Sequence, residues 1–255
     1  MARPLLAIGG IALIGVGVLT GLGWWWPSDA EANSELTQSI KSVRVDNNDG
    51  AVKIRVADGP VKVHQEFSYR WSKPGDAFRV DGDTLVLAGC GNNCEVDYDV
   101  VVPAGVPVTG RVDSGAVEIA GMSTVDVTVD SGRVDVRDVP GTVKVKADSG
   151  RVELVNIGQD VTVDAGSGAI KGERLGGNVN VHADSGRIEL ELLKAANVTA
   201  KSDSGSIEVT VPRGDYNVSG STDSGRRDIE VNQSGSAQYK LDLSTDSGSV
   251  KVNAA

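Results

Sequence analysis

Histidine, cysteine and aromatic side chains are scarce in this sequence: two His, two Cys and 4% Phe, Trp and Tyr among 255 residues. That leaves little material for catalysis. No Ser/His/Asp or Cys/His grouping is visible, and a zinc site would have to recruit His64 and His182 from distant segments. Basic residues are outnumbered as well. Arg3 is the sole charge in residues 1–26, so the remainder carries 24 basic and 35 acidic side chains, a net charge of −11. Such a surface repels nucleic-acid phosphates, and anionic lipid headgroups unless cations bridge them. Nucleic acid is thereby excluded as a partner, and nothing in the sequence asks for a cofactor. Long helix-forming runs are few, whereas glycine (32 residues) and valine are plentiful. That balance points to many short strands joined by glycine turns.

One long apolar run does exist. Residues 5–26, "LLAIGGIALIGVGVLTGLGWWW", are 22 uncharged residues, long enough as a helix to span a hydrocarbon core of ~30 Å. Arg3 before the run, with Asp29 and Glu31 after it, places the amino terminus in the cytoplasm and residues 33–255 outside, a single-pass plasma-membrane topology. Trp24, Trp25 and Trp26 fall at an interfacial aromatic belt, and Pro27 stops the helix. Ala30-Glu31-Ala32 has the A-x-A form of a signal-peptide cleavage site, but the run exceeds a usual signal core, which favours an uncleaved anchor. Gly17 and Gly21 form a GxxxG pair that offers a helix-dimer face. Cys90 and Cys94, in "CGNNC", fit a local disulfide closed over a Gly-Asn-Asn turn, in keeping with export.

The dominant signal is a repeat. Asp-Ser-Gly occurs at 113–115, 130–132, 148–150, 184–186, 203–205, 223–225 and 246–248, with Gly166-Ser167-Gly168 filling the gap. Successive glycines lie 17, 18, 18, 18, 19, 20 and 23 residues apart. A near-constant period marks a repeat architecture. Alternating runs flank each triplet, so one face of each strand is apolar: Val134, Val136, Val143, Val145 and Ala147 in one unit, Val152, Leu154, Val161 and Val163 in the next. A lone unit cannot bury that face, but stacked units can. The predicted fold is therefore all-β: a single-stranded β-solenoid of ~18-residue coils rising ~4.8 Å each, preceded by one transmembrane helix. An antiparallel meander gives no reason for the same tripeptide to return in register, and no six-residue motif supports a hexapeptide helix.

Stacking brings Asp113, Asp130, Asp148, Asp184, Asp203, Asp223 and Asp246 into one column. As a corner brace, Asp and Ser would bond nearby backbone amides while Gly supplies positive φ. Arg133, Arg151, Arg187 and Arg226, each following a glycine, would then interleave with the column and neutralise it. A calcium ladder is the weaker reading, because nonapeptide rolls need acidic loops at both turns. A glycosidase carboxylate pair is weaker still, since a periodic ladder is the opposite of one irregular pocket.

The expected organisation is an anchor or signal peptide and short linker over 1–33, an amino-terminal β cap with first coils over 34–110, and the repeat solenoid over 111–255. The cap holds Phe67, Tyr69, Trp71, Phe78 and Tyr98, read chiefly as core. The last segment, "DSGSVKVNAA", stops after one strand and so leaves an open β edge, shielded or used for association.

Over residues 34–255 the pattern resembles a bacterial "putative adhesin" family with β-strand repeats. The likeness rests on "DGDTLVL", on the Cys pair leading into "CEVDYDVVVPAGVPV", and on the "DSGRVDV"-like units. It implies an extracytoplasmic β-solenoid attached to the cell envelope and carries over no catalytic residues. The sequence departs from its own pattern at Gly166-Ser167-Gly168 and at Arg227, which takes a usually apolar position. Two functions are expected from this reading. One is a non-catalytic surface module that binds an envelope protein or surface glycan. The other is an envelope-stress or signalling accessory coupled through its helix. Self-association would run through the carboxyl-terminal edge or the helix.

Overall fold

The computed structural model describes residues 27–255. Seventeen strands make it up: β1 (Ser28–Leu36), β2 (Ser42–Asp49), β3 (Val52–Val56), β4 (Val61–Tyr69), β5 (Phe78–Asp81), β6 (Thr84–Ala88), β7 (Cys94–Val102), β8 (Val108–Ala120), β9 (Val125–Val139), β10 (Val143–Ile157), β11 (Val161–Leu175), β12 (Val179–Leu192), β13 (Val198–Val211), β14 (Asp215–Ser219), β15 (Thr222–Ile229), β16 (Asn232–Gln233) and β17 (Tyr239–Ala254). No helix occurs among the described residues. The transmembrane helix expected over 5–26 lies outside them.

From β8 to β13 each repeat is one long strand, paired in parallel with its neighbours before and after. This is the β-solenoid expected from the period. Its two walls face each other across a core of aligned side chains. Val125, Val143, Val161, Val179, Val198 and Leu241 form one buried column. Val117, Val134, Val152, Ile170, Ile188, Ile207 and Val250 form another on the opposite wall. Each such side chain contributes about 1.5–3 kcal/mol by leaving water. Gly172 interrupts a third column, and Leu175 and Leu190 reach into the space a side chain there would take.

Asp-Ser-Gly does not separate two strands. It bends one strand, with Gly132, Gly150, Gly168, Gly186 and Gly205 at φ between 133° and 154°. Space demands glycine as strongly as dihedral angle does. A Cβ on Gly150 would lie 1.8 Å from the carbonyl oxygen of Gly132. A second irregularity was hidden by the strict alternation of "RVDV" and "RVEL". Asp138, Asn156 and Arg174 adopt φ of 55°, 59° and 53° and drop out of the pairing register. This bulge turns Val139, Ile157 and Leu175 inward, where they are buried. Asn and Asp tolerate the left-handed region best, and Asn156 donates to Asp138 at 2.7 Å.

The solenoid begins earlier than the triplets do. β2 and β3 together form a coil on β8, with Asp49 opposite Ser114 and Val52 opposite Val117. Gly50, at φ 110°, is its corner glycine. Asn48-Asp49-Gly50 is thus a variant of the repeated triplet. β6 and β7 stack on β2 and β3 as a further coil. Antiparallel β5 and β4 then cover β6 and β7, and β1 covers β4. The segment read as linker up to residue 33 is already strand, Ser28 pairing with Tyr69.

The carboxyl end corrects an expectation. β13 pairs with β17, and β17 pairs with β14 and β15 on its other side. The strand that ends the chain is therefore internal, and no open edge is left there. A side-chain ladder follows the same order: the backbone N–H of Asn178, Asn197 and Lys240 donate to Asp160, Asn178 and Asn197 respectively. Arg227 sits on β15 at the true end of the stack. Its guanidinium donates to the carbonyls of Leu243 (3.0 Å) and Ser219 (2.9 Å), which accounts for a cation at a usually apolar position.

Gly150→Ala is expected to lower stability by about 3 kcal/mol or more, through strain and overpacking combined. Gly235→Ala, where a Cβ meets nothing within 4 Å, should change it by under about 0.5 kcal/mol. Equal midpoints in urea denaturation for the two variants would contradict the corner role.

Candidate functional site

Register places every triplet on one edge. Ser114, Ser131, Ser149, Ser167, Ser185, Ser204, Ser247 and Ser224 pair in that order, so 223–225 lies beyond 246–248 in the stack. All eight serines are exposed. Beside them run Asp113, Asp130, Asp148, Asp184, Asp203, Asp246 and Asp223, with Gly166 at one step. Asp113 and Asp130 are half-buried and the other five exposed. Asn48 takes the same place in the coil before, and its amide donates to Asp113 at 3.3 Å.

The side chains do not brace the corner as expected. No hydrogen bond described for a triplet Asp or Ser side chain reaches a backbone amide, so the glycines and the ladder bonds hold the bend. Nor do the four arginines interleave with the column. Period-2 alternation turns Arg133 away from the column to cover the buried Asp135 (2.7 Å), within 3.3 Å of Glu153. Arg187 turns in the same way to Glu189 at 3.1 Å. Among the described arginines it is Arg111 that engages the column, bonding Asp113 at 3.0 Å and also Asp130. His182 lies 3.3 Å from Asp184. From Asp148 onward the edge thus remains acidic.

An acidic row is not by itself a cation site. Among the described residues no three His, Cys, Asp or Glu side chains gather closely enough to hold a metal ion. The reason is geometric: a coil supplies at most one carboxylate to the column, the next stands a coil away, and five of the seven are exposed.

At the amino-terminal end the edge opens into a groove of about 840 Å³, walled by Pro27, Asn48–Gly50, Ser68–Arg70, Gly91–Glu95, Ser114 and Gly115. One wall is the corner loop between β6 and β7. Cys90 and Cys94 are disulfide-bonded across it with Cα atoms 5.6 Å apart, and Gly91 and Asn93 turn it with φ of 99° and 58°. Tyr98 supports this loop from below, donating to the Ala88 carbonyl at 2.6 Å. Burial, with the charge of Asp76 adding to it, holds its phenol well above the ordinary value. The groove is lined by amides, hydroxyls and single charges of either sign. It suits hydrogen bonding to a polar ligand and contains no histidine. His64 lies elsewhere, against Asn33 and Glu66.

Of the amino-terminal aromatics, Phe67 and Tyr98 are buried, and Tyr69 and Phe78 pack partly against the core. Trp71 departs from the core reading. It is 80% exposed, at φ 84°. Its place in "YRWSKPGD", past the end of the alternating run, was the available signal.

Residues 107–253 match the family model described as Toastrack DUF4097. No curated protein matches the chain. Similar solved structures include a "putative adhesin" of Parabacteroides merdae, 10% identical, covering 88% of this chain and 96% of that one at a TM-score of 0.45. Another, from Bacteroides fragilis, is 14% identical and covers 88% and 97% at a TM-score of 0.31.

Two outcomes test the site. Replacing Asp148, Asp184 and Asp203 together with Asn should alter stability by no more than about 0.5 kcal/mol per position, and millimolar calcium should leave the melting temperature of the parent unmoved. A calcium-dependent rise abolished by those substitutions would favour the cation reading over the structural one. Tyr98→Phe should cost about 1 kcal/mol at neutral pH. The raised phenol pKa contributes stability that is fully present below the unfolded value of about 10 and is lost as pH climbs towards the folded value. The parent's stability should accordingly fall more steeply than the variant's above that pH, by up to about 1.4 kcal/mol per pH unit. Parallel curves would contradict this.

Proposed function

The chain belongs to the Toastrack DUF4097 family, and from that membership and the geometry above we propose that it is a membrane-anchored extracytoplasmic interaction module without catalytic activity, of adhesin-like character. The observation that carries the reading is the column of eight exposed serines, with an aspartate beside all but one, built in register on a stack with one continuous core. Such a surface is long, repetitive and polar. It suits an extended partner, an envelope protein or surface glycan, better than a small substrate. The non-repetitive groove at its amino-terminal end is where specificity would reside.

The amino-terminal strand supports the uncleaved anchor. Ala30, Glu31 and Ala32 pair with Phe67, Glu66 and Gln65 inside β1. Cleavage after Ala32 would cut an edge strand of the folded unit, which favours retention of residues 1–32. On this reading 1–26 anchor the chain at the plasma membrane and the rest lies outside it.

The position of β1 also favours a second reading, an envelope-stress or signalling accessory. With Ser28 already paired, Pro27 alone joins the apolar run to the sheet. A shift of the helix would pass to the solenoid without a flexible spacer.

Exchange of residues 5–26 for an unrelated single-span anchor separates the two. Partners crosslinked in native membranes should be recovered unchanged by the chimera if the solenoid edge does the binding. Their loss, with the chimera still folded and in the membrane, would favour coupling through the helix. Recovery of no partner by the parent chain, with or without calcium, would remove the interaction module.

A further inference from the structure

Trp71 is a large apolar side chain, 80% exposed, held in the left-handed region at φ 84°. Bulky residues rarely adopt that region, and such strain persists where the surroundings impose it and function uses it. The strain aims the indole away from the core that Phe67 and Tyr69, on the same stretch, pack against.

Its position gives this a meaning. Tyr69 pairs with Ser28, so Trp71 is two residues past the point where β1 starts. At about 3.3 Å per residue it stands within roughly 7 Å of that point. The chain entering at Pro27 comes directly from residues 24–26, the three tryptophans closing the apolar run. The fourth and last tryptophan of the sequence is thus folded back to the same end of the molecule. Local charge reverses as well. Residues 27–255 have a net charge of −11, yet Arg70, Trp71, Ser72 and Lys73 include two cations and no acid, and all four are exposed.

We infer that the 70–73 loop is a second contact between this chain and the bilayer: Trp71 enters the boundary between headgroups and acyl chains, while Arg70 and Lys73 meet lipid phosphates. Tryptophan concentrates at that depth because its ring is apolar with one polar N–H. Basic side chains beside it gain from anionic lipid. The solenoid is then held at two points, Pro27 and Trp71, which restricts its swivel about the anchor and fixes which edge faces outward. This rests on the anchor reading above, and the experiment separates the two.

Full-length protein carrying W24F, W25F and W26F leaves Trp71 as the sole tryptophan. It is reconstituted into vesicles of phosphatidylcholine and phosphatidylglycerol, with or without brominated acyl chains, and co-flotation is measured on the same sample. The expected result is co-flotation with a blue-shifted Trp71 emission that drops roughly twofold in brominated lipid, as for an interfacial ring. Co-flotation with an emission indifferent to bromine overturns the contact and leaves the anchor standing. A blue-shifted but unquenched emission also overturns it, showing Trp71 covered by protein instead. Failure to float overturns both. Adding R70A and K73A should weaken the quenching in anionic vesicles more than in purely zwitterionic ones, and equal quenching in the two would remove the phosphate contacts.

Discussion

The approach of one glycine Cα to the carbonyl oxygen of the preceding corner sets the rest of the structure. Coils stack at ~4.8 Å only if both walls and both bends keep that spacing. A bend cannot open locally without pulling two sheets out of register. The Gly132–Gly150–Gly168–Gly186 series satisfies this by having no side chain at all, with a Cβ at each of the last three falling 1.7–1.8 Å from an oxygen. The buried valine columns supply the free energy, and the glycines make the register in which those columns meet. Asp is less constrained. Gly166 replaces it in one coil and the pairing of Ser149 with Ser167 and of Ser167 with Ser185 continues without a shift.

This ordering of constraints explains what was legible in the sequence. A glycine fixed by both space and dihedral angle recurs at a readable period, and valines fixed by burial recur at every second place. The solenoid, its wall residues and the shared edge followed from those two signals. First coils were expected over 34–110, but their corners were not legible, because β2–β3 and β6–β7 vary them: Asn48-Asp49-Gly50 keeps the glycine while changing the flanking polar pair, and the other coil replaces the triplet with the disulfide loop. The bulge at Asp138, Asn156 and Arg174 escaped because three unlike residues share one backbone state. Stacking, rather than side-chain identity, enforces it. The order of the final strands could not be read at all, since β15 and β17 carry equivalent triplets and either fits next to β13.

The candidate site was legible in part. The sequence placed the Asp and Ser residues on one edge but misassigned their partners. Arg133 and Arg187 follow the corner glycine directly, and adjacency suggested pairing with the column. The wall beyond the corner obeys period 2, so the favourable neighbours are Asp135 and Glu189, two residues on. The groove was invisible because its walls come from five separate segments, joined only when the antiparallel strands fold over β6 and β7.

The two ends of the stack show why a parallel solenoid needs special termini. A parallel edge is a template for another strand. At the start, β4 and β5 reverse direction, so the outermost strand β1 no longer presents the parallel pattern that a further coil would extend. At the finish, the chain skips one level, lays down β14, β15 and the two-residue β16, and returns to insert β17 beneath them. The level above β17 is therefore short and broken at Gly220, and Arg227 on it binds the carbonyls of Ser219 and, one level below, of Leu243. Both ends thus depart from the regular coil, while the triplet edge runs exposed along the stack between them. The long edge of serines and aspartates is the surface that the stack leaves exposed along its side, and the amino-terminal end of that edge is also where Pro27 brings in the apolar run.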